Sequence, residues 1–300
     1  MQLRSHLFCL ATIILWSTLE LTGKLVGESI DPFTLTAWRF VIGGLALMPI
    51  AIRQNRSAAH RLTFGSILVI SGLGILNVCI SMLLLQLAIY FGKASVTAVI
   101  MSMNPLFVGL FAMLILNEKM SRNTVLGLLA GLIGLIIMIV SEPELGSHAF
   151  KNLPLSLLLA SLSAIVFGLY TVLTKHSVQL HGNTMTNSGS FIAGGITLLI
   201  INAVIGKPVI FDVTFRNVGF ILYLGLMLTG LSYLLYFEAM KVLGAAKASI
   251  YFFLKPVLAS ILAVVILAEK LSPWQIAGIA IIITALSRET IIGIFERKEV

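Results

Sequence analysis

The sequence predicts an all-α integral membrane protein of ten transmembrane helices, built as two five-helix repeats inserted in opposite orientations. Three observations lead there. Of the 300 residues 58% are hydrophobic and only 11% charged, whereas a soluble domain carries about 25% charged residues. The apolar residues come in blocks, and about 20 helical residues cross roughly 30 Å of hydrocarbon. The second half of the chain also repeats the first at a constant offset.

Read between charged or turn-forming clusters, the spans fall at 7–26, 34–52, 63–87, 94–116, 124–141, 154–176, 185–205, 217–237, 245–267 and 274–290. The first follows Arg4 and superficially resembles a signal peptide, but it is too long for a typical apolar core and lacks a small-residue cleavage site, so it reads as the first helix of the mature protein. Between the second and third spans lies a basic link with Arg53, Arg56 and Arg61. The segment 142–153, with Pro143, Gly146 and Lys151, divides a first repeat over 1–141 from a second over 154–300.

The repeat is visible at a shift of 151, the difference between Lys24 and Lys175. It also lays Phe40-x-x-Gly43-Gly44 on Phe191-x-x-Gly194-Gly195, Gly74 on Gly225, Ser81 on Ser232 and Pro105 on Pro256. Glu118-Lys119-x-Ser121 falls on Glu269-Lys270-x-Ser272. Chance produces Leu, Ile and Val identities in apolar sequence, but not paired Pro, Gly-Gly and Glu-Lys at one offset. An odd number of helices per repeat inverts the second copy. With both termini cytoplasmic, twelve basic residues fall inside and six outside, while Arg39 and Lys255 lie within spans. The positive-inside rule favours that orientation, in a plasma or inner membrane. The net charge of +8 is scattered between spans, which reads as topology signals and headgroup contacts rather than a nucleic-acid surface.

At this point the sequence resembles the drug/metabolite transporter superfamily, in its ten-helix form with two EamA domains. The resemblance rests on Trp16-Ser17, on Arg39-Phe40 with Gly43-Gly44, and on the segments Asn104-Pro105-Leu106 to Leu116-Asn117-Glu118-Lys119 and Lys255-Pro256-Val257 to Leu267-Ala268-Glu269-Lys270. It covers almost the whole chain, and it implies alternating-access inner-membrane carriers, often exporters of amino acids, other metabolites or toxic compounds. Three departures stand out: Glu20 inside the first span, Ser17 where Gly is frequent, and Lys255 before the second proline. They mark a subgroup with a charged or zwitterionic cargo.

A charge near the bilayer centre costs at least about 2.5 to 3.5 kcal/mol, so Glu20, Arg39 and Lys255 must face partners or a wet cavity. Glu20 and Lys24 are spaced i, i+4 in the favourable order for an ion pair; a pair that merely lets the helix insert is the plainer reading. Pro105 and Pro256 each remove a backbone donor and loosen the preceding turn as helix kinks, and the residues before them, Asn104 and Lys255, are equivalent and polar. Asn77 with Ser81, and Ser232 with Tyr236, share helix faces at i, i+4. Such pairs either bond neighbouring helices or line a pore. Glu20, Arg39, Asn77, Ser81, Asn104, Ser232, Tyr236 and Lys255 are the candidate substrate-binding set, with Arg39 and Lys255 holding anionic groups and Glu20 taking an amine or a coupling proton.

Gly127, Gly131 and Gly134 give the fifth span a small-residue face that packs within the chain or across a homodimer. Cys9 and Cys79 sit inside apolar spans, the five histidines lie outside span centres, and no metal-binding, cofactor-binding, Walker or hydrolase motif occurs. The expected partners are therefore a small-molecule substrate and the lipid bilayer. Export of amino acids or related metabolites leads; uptake of a vitamin, sugar or nucleotide-like metabolite is the alternative, and an intramembrane enzyme or a non-transporting membrane partner comes last.

Overall fold

The computed structural model describes residues 2–26, 29–56, 63–92, 94–140, 152–258, 261, 272–274 and 276–284. Among the described residues every regular element is helical. The helices are α1 (Gln2–Trp16), α2 (Leu19–Val26), α3 (Pro32–Arg56), α4 (Phe64–Gly74), α5 (Leu83–Phe91), α6 (Ala94–Met101), α7 (Asn104–Leu116), α8 (Arg122–Val140), α9 (Leu153–His181), α10 (Asn183–Val204), α11 (Phe215–Leu222), α12 (Ser232–Leu243) and α13 (Ala245–Ser249). Wider-turned π-helical stretches, Ile75–Met82 and Tyr223–Leu231, join α4 to α5 and α11 to α12. Among the described residues seven helical stretches are long and apolar enough to cross a membrane: Gln2–Gly23, Pro32–Gln54, Phe64–Phe91, Thr97–Leu116, Pro154–His181, Asn183–Val204 and Phe215–Leu243. Arg122–Ile137 is a shorter apolar helix. The ninth and tenth predicted spans are described in part, and residues 142–151, including Pro143, Gly146 and Lys151, lie outside the described residues.

Several spans are interrupted where the sequence reads as continuous. The first breaks at Ser17 and Thr18, whose hydroxyls donate back to the carbonyls of Ile14 (2.7 Å) and Leu15 (2.8 Å), the local competition that makes such residues poor helix-interior choices. The fourth breaks after Met101. Pro105 falls in the first turn of α7, where its missing N–H costs nothing, so the expected kink is two helices in sequence. In the eighth span the Thr229 hydroxyl donates to Leu224 O (2.9 Å) and the Ser232 hydroxyl to Met227 O (2.8 Å), each five residues back, the carbonyl that a π turn presents.

The two halves exchange equivalent contacts. Gly43 lies against Gly225 and Thr229; the shift of 151 converts that pair into Gly194 and Gly74, which also abut, Gly74 meeting Ser190 as well. Gly44 packs on Ile192 and Gly195 on Val41, again one pair mapped onto the other. Thr12 donates to Ser232 O (3.2 Å) and its counterpart Ser163 to Ser81 O (2.8 Å). Phe40 and Phe191, mutual equivalents, meet edge-to-face at 5.1 Å. Each swap is what a twofold relation between the halves produces. Even the caps match, Thr63 accepting from Ser66 N and Thr214 from Asn217 N, both at 3.2 Å.

Polarity runs from outside in. Leu45, Ile50, Leu68, Leu129, Ile133 and Ile200 are exposed, whereas Glu20, Arg39, Asn77, Asn104 and Lys255 are buried. A chain that turns leucine outward and folds its ions inward is solvated by lipid, so this is a multi-pass membrane protein. The small-residue face of α8 is used inside the chain, Gly131 against the Phe253 ring and Gly134 against Gly278 and Ile282.

Candidate functional site

Three charged side chains from distant parts of the chain converge where the halves meet. Glu20 stands in the first turn of α2, immediately after the Ser17–Thr18 break, where the positive end of the helix dipole favours a carboxylate. Lys255 follows the tight 3₁₀ turn Ile250–Phe253 and precedes Pro256. Its ammonium donates to Glu20 Oε1, and both side chains are only 2% exposed. Arg39, two turns into α3, is buried, with its guanidinium 4.9 Å from the centre of the Phe40 ring. It lies within electrostatic reach of Tyr233 and Glu20, but no described acidic residue pairs with it. Its Nε and the second oxygen of Glu20 are buried without a hydrogen-bond partner.

Arg39 and Lys255 edge a cavity of about 20 Å³. That holds one or two waters and no metabolite, for which pockets run to roughly 300 Å³ or more, so the conformation is closed around its centre. Arg39 and Lys255 supply the polar wall, and Trp16, Phe167, Tyr233 and Phe252 the aromatic one. Trp16 is the pivot of the aromatic cluster: ring centres lie 5.0 Å away in Tyr233 and 5.2 Å away in both Tyr236 and Phe252. Its indole N–H donates to Leu228 O (2.9 Å), a carbonyl of the π-helical stretch. The wide turn thus exposes a carbonyl that an α-helix would have used internally.

The other sequence-predicted residues divide. Ser81 bonds across helices, donating to Ser163 O (3.2 Å), and Asn104 Nδ2 donates to Ala164 O (3.0 Å). Both therefore tie π-stretch and α7 to α9. Ser232 serves its own helix. Asn77 and Tyr236 are wholly buried, with the Asn77 amide and the Tyr236 hydroxyl unpartnered; Asn77 faces the Tyr233 hydroxyl. Glu20 takes Lys255 as partner, 235 residues away, and the Lys24 side chain lies outside what is described.

Phe167 and Phe252 belong to the cavity wall and carry no polar signal that would have marked them. A second ion pair was also missed. Glu118 accepts from Lys175 Nζ and, through Oε2, from the Ala245 N–H (3.2 Å) at the start of α13. Asn117 in the left-handed region (φ 52°) and Gly244 at φ 84° shape the two approaching turns. The signal was present, since the Glu-Lys motif and the Lys24/Lys175 pair both recur at the repeat offset. It joins the ends of α7, α9 and α12 at one face of the bundle.

The model of the EamA-like transporter family matches residues 3–140 and again 154–287. An uncharacterized transporter of Clostridium kluyveri is 33% identical over 282 residues, covering 93% of this chain and 91% of that protein. The uncharacterized transporter YyaM of Bacillus subtilis is 25% identical over 273 residues, covering 91% and 88%. Protein PecM of Dickeya dadantii is 28% identical over 229 residues, covering 76% and 75%. A solved crystal structure shares the fold at a TM-score of 0.78 and 20% identity, covering 97% of this chain and 98% of that one.

Proposed function

The chain is a member of the EamA-like transporter family, and from that premise we propose that it is a secondary-active carrier that exports an amino acid or a related small metabolite by alternating access. The buried charged centre carries the reading: Arg39, Glu20 and Lys255 meet beside a cavity at the junction of two halves that exchange equivalent contacts. A permanently packed core gains nothing from an uncompensated guanidinium, whereas a carrier needs one fixed charge that cargo can complete.

In this reading the repeats are 1–141 and 154–300, joined by 142–153, and together they form ten spans related by inversion in a plasma membrane with both termini cytoplasmic. Arg39 and Lys255 receive the anionic part of the cargo, with Asn77, Ser81, Asn104, Ser232 and Tyr236 around them, and Glu20 exchanges a coupling proton. The breaks beside Pro105 and at Ile250–Phe253 are the points at which spans flex to open the centre on one side and then the other. Lys175 and Glu118 hold one face closed.

An untargeted comparison of metabolites in cells lacking and overproducing the protein, repeated with Arg39→Ala, tests this. One or a few compounds should fall inside the overproducing cells, rise in the medium, and return to baseline with the variant. A profile that the protein leaves unchanged overturns the carrier reading.

A further inference from the structure

Resting on the carrier part of that reading, we infer that the cargo is an organic monoanion with an apolar, ring-sized body and no amino group, recognised through a single carboxylate on Arg39. This narrows the cargo from amino acids and related metabolites to those without an amino group, and the anion site from Arg39 and Lys255 to Arg39. Charge is the first step. The described centre contains two cations and one anion, and the anion is already taken, since Lys255 donates to Glu20 with both side chains 2% exposed. What is left over is one positive charge on Arg39, whose buried Nε has no partner. A guanidinium stays protonated in any protein environment and offers donors in a planar fork that fits a carboxylate. The site therefore lacks one negative charge.

The walls supply the second step. Beyond Arg39 and Lys255, the cavity is bounded by Trp16, Phe167, Tyr233 and Phe252, and otherwise by aliphatic and Met side chains with Thr229. Pockets of this kind bind an apolar body and use a few polar groups to orient it. Ring faces and edges at 5 to 6 Å spacings already pack among themselves here, so a flat ring can replace one such contact when the site opens.

The third step excludes an ammonium. A cargo amine would enter beside Arg39 and Lys255, and the only described carboxylate in reach is Glu20. Glu20 Oε2 is open to an amine while Oε1 keeps Lys255, but with the cargo carboxylate on Arg39 the centre would then hold three cations against two anions, an uncompensated buried charge of the kind that costs most in a low-dielectric interior. A dianion fares no better, because its second charge would face Glu20.

The test uses the full-length protein in proteoliposomes and four labelled probes of one shape: 3-phenylpropionate, phenylalanine, 2-phenylethylamine and 3-phenylpropionamide. 3-Phenylpropionate should be carried with kcat/KM at least tenfold above phenylalanine, and the amine and the amide should stay at the level of empty vesicles. Arg39→Gln should remove 3-phenylpropionate flux, while Arg39→Lys, which keeps the charge but not the fork, should retain a measurable part. Phenylalanine carried as well as the acid would overturn the inference by showing that Glu20 reads an amine, and an amide carried as well as the acid would overturn it by showing that the charge on Arg39 is idle. In both cases the carrier reading stands. Should no probe move while the metabolite comparison identifies another cargo, the class inferred here is wrong and transport is right; should that comparison also stay flat, both fall.

Discussion

Removing one partner of the Glu20–Lys255 pair should cost far more than removing both. Each side chain is 2% exposed, so Lys255→Met leaves a buried carboxylate and Glu20→Gln a buried ammonium. Breaking a buried pair in this way destabilises by roughly 3 to 5 kcal/mol. The double variant Glu20→Gln/Lys255→Met replaces the pair by a neutral amide and a flexible apolar side chain of similar length, an exchange that is often close to neutral. Its loss should be about 1 kcal/mol, which puts the non-additivity at several kcal/mol, well beyond the scatter of about 0.5 kcal/mol expected for independent sites. The two singles should also differ. Arg39 lies within electrostatic reach of Glu20, so Lys255→Met leaves the carboxylate with a second cation nearby, whereas Glu20→Gln leaves two cations with no anion. Glu20→Gln is therefore the more damaging. Reversible denaturant titration in mixed micelles, followed by far-ultraviolet circular dichroism and by tryptophan fluorescence, measures all four corners of the cycle. Additive losses, or singles within 0.5 kcal/mol of the parent, would refute the claim that these charges are buried against each other.

The helix crossings give a sharper steric contrast. Gly74→Val drives a side chain into the Ser190 backbone and should cost about 3 kcal/mol or more, whereas at Gly72 an added Cβ meets nothing within 4 Å and Gly72→Ala should be neutral or stabilise by up to about 1 kcal/mol; thermal melts in detergent distinguish the two. Trp16→Phe keeps the ring cluster but removes the bond to Leu228 O, and should lose about 1 to 2 kcal/mol in the same titration. Glu118→Gln weakens the tie to Lys175 and Ala245 at a partly exposed position; it should cost about 1 kcal/mol and raise cysteine labelling at nearby Ala246 from the face that the pair holds closed, with unchanged labelling counting against a closing role.

The amino-acid sequence by itself determined the solvent, the class and the duplication. Apolar blocks of span length leave the backbone no choice but helix, because lipid offers no hydrogen bonds. A repeated Pro, Gly-Gly and Glu-Lys at one offset is a property of the string and needs no coordinates, and Arg39 and Lys255 are visible as ions inside greasy segments without any knowledge of their neighbours. Tertiary structure decided the partners. Spacing placed Glu20 one turn from Lys24, whose side chain lies outside what is described, and only the packing shows that the 3₁₀ turn before Lys255 brings a second ammonium to the carboxylate from the other half of the chain. The π-helical stretches, one of which offers Leu228 O to Trp16 and places Gly225 against Gly43, leave no mark in hydropathy. Periodicity reports which face of one helix is apolar, whereas which buried ion meets which is a question of how separate helices cross, and only their packing answers it.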